Sequence, residues 1–239
     1  MTGTRFVRSA ADLDRIAAVH RSPVFRDIHG LGVSFLTEPD VLAELLPPPL
    51  VPAERPRVTI SISEIRASNC VGPFNSAVVG LPCSYRGEAG VYRLMMPMNT
   101  DTAVVFGREI YAEPKKLADI RLERDGFRLR GTVARHGVTY IEIGGAFDEE
   151  PQPIEGGADQ PLFYFKYFLS PDGGLAGDPR LIRVIEHGKL RAFTRGSATI
   201  TLRESRHDPV IDIPVLSVGS ATWSIGEIHT TAEVLTTVP

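Results

Sequence analysis

Alternation with a period of two runs through most of this chain and constrains its fold more than any other feature. Val58-Thr59-Ile60-Ser61-Ile62-Ser63, Phe127-Arg128-Leu129-Arg130 and Ala198-Thr199-Ile200-Thr201-Leu202 each sort apolar and polar residues onto opposite sides of an extended backbone. That is the pattern of a half-buried strand. Further strands are predicted over residues 32–37, 78–86, 91–98, 102–110, 140–147, 162–169, 180–187 and 215–227. Turn signals separate many of them, among them Arg86-Gly87, Arg124-Asp125-Gly126, Asp172-Gly173-Gly174 and Glu186-His187-Gly188. Helical spacing is confined to residues 10–20, with Ser9 as a cap, and to residues 39–46. The expected fold is mostly β (α+β), with a few short helices on a large antiparallel sheet closed or curled on itself. The pattern alone leaves sandwich and barrel open.

Composition narrows the classes of function. The chain has 239 residues, 43% of them hydrophobic and 23% charged, ample for a buried core. No Gly/Ser linker or charge block divides it, so residues 1–239 are expected to form a single domain. The Pro-rich stretch 46–56 is read as a rigid connection. A net charge of -3 offers no footprint for nucleic acid or an anionic membrane. No apolar run approaches the ~20 residues of a membrane span, and residues 1–20 lack the apolar centre of a signal peptide, so a cytoplasmic location is expected. Cys70 and Cys83 form no metal spacing with the six histidines. Both are read as reduced, packed thiols, and neither a metal nor a cofactor is expected.

The chemistry concentrates in Gly107-Arg108-Glu109-Ile110-Tyr111-Ala112-Glu113-Pro114-Lys115-Lys116-Leu117. Two adjacent lysines before a helix are ordinarily a solvated surface feature. An ordinary lysine, with a pKa of about 10.4, is neutral in only about 1 molecule in 2,500 at pH 7, so it attacks carbonyls poorly until its charge is disfavoured. Pro114 suits the first position of a short helix over residues 115–120, whose N-terminus would repel an ammonium at Lys115. Lys116 adds a neighbouring positive charge. Val104, Val105, Phe106 and Ile110 are candidates for a poorly solvated wall. Glu113 is the candidate general acid or base, although an ionised Glu113 close by would favour the charged lysine and must be protonated or held off. It reads equally well as a helix-start carboxylate. Arg108 and Glu109, adjacent on a predicted strand, are read as structural.

Gly-Arg-Glu-Ile at 107–110, Glu-Pro-Lys-Lys-Leu-Ala at 113–118, Gly131-Thr132-Val133 and Arg135-His136-Gly137 together resemble the acetoacetate decarboxylase family. Ser22-Pro23-Val24-Phe25, Leu45-Leu46-Pro47-Pro48-Pro49-Leu50, Tyr92-Arg93-Leu94-Met95-Met96 and Phe193-Thr194-Arg195-Gly196-Ser197-Ala198 extend the likeness over nearly the whole chain. The resemblance implies a large antiparallel sheet forming a closed cone-like barrel with the lysine inside, and subunits that assemble as a homo-oligomer. It also implies that Lys115, the first lysine of the pair, forms a Schiff base with a small keto acid. This family is the standing example of a lysine activated by an apolar pocket or a cationic neighbour, so that explanation comes with the resemblance. The family also carries an arginine ahead of the first strand and two glutamates that handle the substrate carboxylate and proton transfers. An ungapped reading puts Ser61 and Ser76 in place of the glutamates and Arg26, Ile28 and His29 in the arginine's region.

Lys115, Glu113 and Lys116 are thus the candidate catalytic residues. Ser61, Asn75, Ser76 and Met96 are the candidate substrate contacts, the first three through hydroxyl or amide hydrogen bonds and Met96 as part of an adaptable apolar wall with Met95 and Met98. His136 is read as a turn residue. The leading function is a cofactor-free lyase that decarboxylates a β-keto acid. An aldolase or aldolase-dehydratase using pyruvate or another keto acid and an aldehyde is the first alternative, and a noncatalytic small-molecule binder the second.

Overall fold

In the computed structural model, residues 6–237 are described. Three α-helices, α1 (Ala10–Arg21), α2 (Pro39–Leu45) and α3 (Asp101–Tyr111), accompany twelve strands among these residues. The strands are β1 (Val24–Leu36), β2 (Val51–Pro52), β3 (Arg57–Ser68), β4 (Phe74–Tyr85), β5 (Glu88–Met98), β6 (Lys115–Leu117), β7 (Asp119–Asp125), β8 (Arg128–Arg135), β9 (Val138–Ala146), β10 (Gln152–Lys166), β11 (Arg180–Leu202) and β12 (Ser217–Thr237). All belong to one sheet, with the order β10-β5-β4-β3-β1-β12-β11-β9-β8-β7 along its main path. β10 also pairs with β11, so the pairings that start at β5 return to it through β10. The expected mostly β fold, with a large sheet and few helices, is the one the chain adopts.

Alternation divides the sheet residues between two apolar clusters. Leu31, Val33 and Phe35 of β1, Val58, Ile60 and Ile62 of β3, and Val79 and Leu81 of β4 bury themselves in the larger one. Each such side chain stabilises the fold by roughly 1.5–3 kcal/mol. The other face carries smaller or more polar residues, among them Gly30, Ser61, Ser63 and Ser76. There a second cluster forms around Phe74, Met96, Met98, Leu162 and Tyr164, with Ala103 and Tyr111 of α3 packed on it. Small residues along this face leave room that larger ones would fill.

Several expectations are corrected. Residues 102–110 form helix α3, not a strand: Thr100 accepts a hydrogen bond from Ala103 N, and Ala103, Gly107 and Tyr111 recur at i, i+4 as its buried stripe. The β-branched Thr102, Val104 and Val105 favour a strand by propensity, and the cap and packing override them. Residues 115–120 form no helix. Ala112 ends α3 in the left-handed region at φ 60, and the chain re-enters the sheet as β6, parallel to β5 with Lys115 opposite Met96. Glu186-His187-Gly188 is no turn but the interior of β11, paired with β10 and β12 on its two sides. The predicted strand 162–169 ends at Lys166 as part of β10, where Leu162, Phe163 and Tyr164 are buried and Leu162 and Phe163 pair with both β11 and β5. Ser9 does cap α1, through a reciprocal pair of bonds with Asp12. His136 sits at φ 51, in the turn between β8 and β9.

Candidate active site

Pro114 directs the chain out of the α3 cap and into β6, and the alternation of this three-residue strand decides which lysine turns inward. Lys115 is 6% exposed and faces a cavity of about 140 Å³. Lys116 faces the other way. Its Nζ donates to Asp208 Oδ1 at 2.9 Å and to the His207 carbonyl at 3.1 Å. Asp208 is fully buried and also accepts from Arg135 Nη1 at 2.6 Å. Arg108 Nη1 donates to the Lys115 carbonyl at 3.3 Å and Arg135 Nε to that of Leu117 at 2.9 Å. The outward side of β6 is therefore fastened by cations, and Arg108 has the structural part expected of it, from a helix instead of a strand.

The cavity is lined on its apolar side by Phe25, Ile28, Ile65, Phe74, Met96 and Phe106, with Ser61 and Ser76 among its polar residues. Asn75 does not line it. Its Nδ2 donates to the Ile120 carbonyl at 3.1 Å and joins β4 to the start of β7. Met98 lines the cavity with Met96, whereas Met95 packs against the larger core. No arginine enters from β1: Arg26 is exposed, His29 pairs with Asp27 at 3.2 Å, and Ile28 takes the cavity position. Tyr111 OH donates to the His20 carbonyl at 2.7 Å. Phe106 meets the His20 ring edge-on at 5.4 Å, and these two contacts hold the end of α1 beside the site.

Oε2 of Glu113 lies 2.7 Å from Lys115 Nζ, and Glu113 is itself 12% exposed on its side chain. This is an ion-pair contact without hydrogen-bond alignment, so Oε2 has no well-directed donor among the described residues. The helix start expected beside Lys115 is absent. The surroundings of Lys115 are instead a buried site and a facing carboxylate.

Sequence reasoning missed Arg93, Glu186, Tyr111 and Thr230, all of which line the cavity. Arg93 Nη2 donates to Glu186 Oε2 at 2.9 Å. Burial opposes the charge of Arg93, but Glu186, Tyr164 and Glu113 more than offset it and hold the guanidinium above its ordinary pKa. Burial, reinforced by Glu113, pushes the Tyr111 phenol up to about 12 and Tyr164 well above its ordinary value. Both phenols stay protonated at neutral pH. Two carboxylates thus do reach the cavity, from β11 and the segment before β6 instead of from positions 61 and 76. No group of three or more His, Cys, Asp or Glu side chains among the described residues is arranged to hold a metal ion.

The sequence profile of the family described as acetoacetate decarboxylase (ADC) matches residues 11–236. The chain belongs to the acetoacetate decarboxylase family. An acetoacetate decarboxylase from Burkholderia cenocepacia is 28% identical over 212 residues, covering 85% of this chain and 84% of that one. Acetoacetate decarboxylase 2 from Mesorhizobium japonicum is 27% identical over 211 residues, covering 85% and 79%. In fold, the chain is similar to the crystal structure of an acetoacetate decarboxylase from Legionella pneumophila, with a TM-score of 0.82, 18% identity, and 99% and 93% of the two chains covered. It is also similar to the enduracididine biosynthesis enzyme MppR, solved with the condensation product of pyruvate and imidazole 4-carboxaldehyde. There the TM-score is 0.71 with 17% identity, covering 89% and 88%. No helix among the described residues is long and apolar enough to cross a membrane.

Gly107 gives this family site a sharp test. A Cβ there would lie 2.6 Å from both Cδ and Nζ of Lys115 and would overlap the Glu113 carboxylate. Both are ends of flexible side chains, so Gly107→Ala should fold normally while displacing the pair. A displacement of about 1 Å can cost on the order of 10²-fold in rate. Gly107→Ala is expected to unfold within a few degrees of the parent and to lose activity by about that factor. Full activity in this variant would contradict the arrangement of Lys115 and Glu113.

Proposed function

We propose that this chain decarboxylates a small β-keto acid through an imine on Lys115. The observation that carries the reading is the lysine itself, buried in a cavity of mixed apolar and polar lining with a carboxylate 2.7 Å from its Nζ. Transfer of a proton from the ammonium to Glu113 leaves a neutral amine and a neutral acid, which is the state the attack requires. Nζ then adds to the keto carbon, Glu113 returns a proton to the carbonyl oxygen, and water leaves to give a protonated imine. The electron pair of the bond to the carboxylate flows into that imine as carbon dioxide departs, forming an enamine. Protonation at carbon and hydrolysis release the ketone and restore the amine. Lys116, tied to Asp208, is left to anchor β6, while Ser61 and Ser76 offer hydroxyls to the bound substrate and Met96 an apolar wall. The ring of strand pairings would act as a closed, cone-like wall around this chemistry.

A cavity of about 150 Å³ accommodates benzene, and the space of about 140 Å³ here has room for a short keto acid. The aldolase reading has its own support in the serines at 61 and 76 and in the MppR fold. A product screen separates them: carbon dioxide from acetoacetate is the expected result. Enone formation from pyruvate and an aldehyde, without carbon dioxide release, would instead favour the aldolase. Failure of every carbonyl compound to form an imine would favour a noncatalytic binder.

A homo-oligomer is part of the proposal. Tyr167, Phe168, Leu169 and Leu175 expose apolar surface close together, with Leu169 bridged to Leu175. Light scattering should return a mass at least twice that of one chain at micromolar concentration, and a monomer mass would refute this part.

A further inference from the structure

Resting on the imine reading, we propose that Arg93, braced by Glu186, is the docking point for the substrate carboxylate, so that the cavity selects short keto acids over neutral ketones. Arg93 reaches the cavity through a break in strand register. Val79 pairs with Met95 but Gly80 with Arg93, which leaves Leu94 as an extra residue on β5. Without that bulge, Arg93 and Met96, three residues apart, would lie on opposite faces. With it they share one.

The guanidinium is only partly used. Nη2 is held by Glu186, whereas the buried Nε has no hydrogen-bond partner among the described residues. A guanidinium presents more than one donor edge, so it can keep Glu186 on one and receive a second carboxylate on another. Charge leads to the same place. Among the described residues, only Lys115 and Arg93 bring positive side chains to the cavity lining, and once Lys115 has passed its proton to Glu113, Arg93 is the cation that remains. A carboxylate entering a buried space that already holds Glu113 and Glu186 is disfavoured unless it meets a fixed opposite charge. Glu186 holds that charge in position, and its own carboxylate keeps Arg93 from being an uncompensated buried cation in the empty site.

Butanoate and butanamide are matched probes that form no imine, so calorimetric titration reads the subsite independently of the lysine chemistry. Wild-type protein is expected to bind butanoate at least about tenfold more tightly than butanamide, the scale of a charged hydrogen bond. Removing both charges, in Arg93→Gln with Glu186→Gln, should bring the two affinities within about twofold. Arg93→Lys keeps the charge but loses the fork, and should weaken butanoate severalfold while keeping some preference for it. This variant decides the matter should the double variant fail to fold. Wild-type protein without the preference, a double variant that keeps it, or unchanged butanoate affinity in Arg93→Lys would each overturn the proposal. Labelling of wild-type Lys115 by acetoacetate and borohydride tests the imine separately. Arg93-dependent butanoate binding without that label would support the subsite and overturn the imine reading.

Discussion

Lys115→Ala is expected to reduce carbon dioxide release from acetoacetate to the uncatalysed background, because no other amine among the described residues lines the cavity to replace it. Lys116→Ala should keep turnover. Its Nζ is committed to Asp208 and the His207 carbonyl on the far side of β6, and Asp208 keeps its contact with Arg135 when Lys116 is gone. The loss should appear in stability instead, at roughly 1–3 kcal/mol for a charged hydrogen bond. Gas release and urea unfolding of the two variants, measured side by side, check the assignment. Turnover that survives in Lys115→Ala and disappears in Lys116→Ala would reverse it.

Glu113→Gln should cost about 10²- to 10⁴-fold in turnover, the usual contribution of a positioned acid or base. The amide is nearly the same size as the acid, so the fold and the cavity should persist while the lysine loses the group that accepts its proton. Stopped-flow measurement of imine formation should show this step slowed, along with the overall rate. Glu113→Gln at the parental rate would reduce Glu113 to the structural carboxylate that its position beside Pro114 also permits.

The strands of the larger core were legible because their alternation is uninterrupted. Val58, Ile60 and Ile62 fall inside by counting in twos. Lys115 was singled out by its motif, but its surroundings were not legible. Propensity placed a strand where Thr100 caps α3 and a helix where Pro114 delivers Lys115 into β6, so the expected electrostatic influence on the lysine had the wrong origin. Arg93 was hidden for a different reason: a bulge at Leu94 shifts the face of β5, and no local residue type announces it. Glu186 was masked by the Glu186-His187-Gly188 turn signal, which pairing on both sides overrides. Asn75 and Ser76, adjacent in sequence, were read together as substrate contacts. Only Ser76 lines the cavity, as alternation along β4 requires.

Peptide mass mapping after incubation with acetoacetate and borohydride tests the imine mechanism most directly. Reduction should trap the ketone product on the enzyme, adding the mass of one isopropyl group to the peptide that contains Lys115, with the modification on Lys115 and none on Lys116. Unmodified Lys115 in protein that still releases carbon dioxide from acetoacetate would contradict the mechanism.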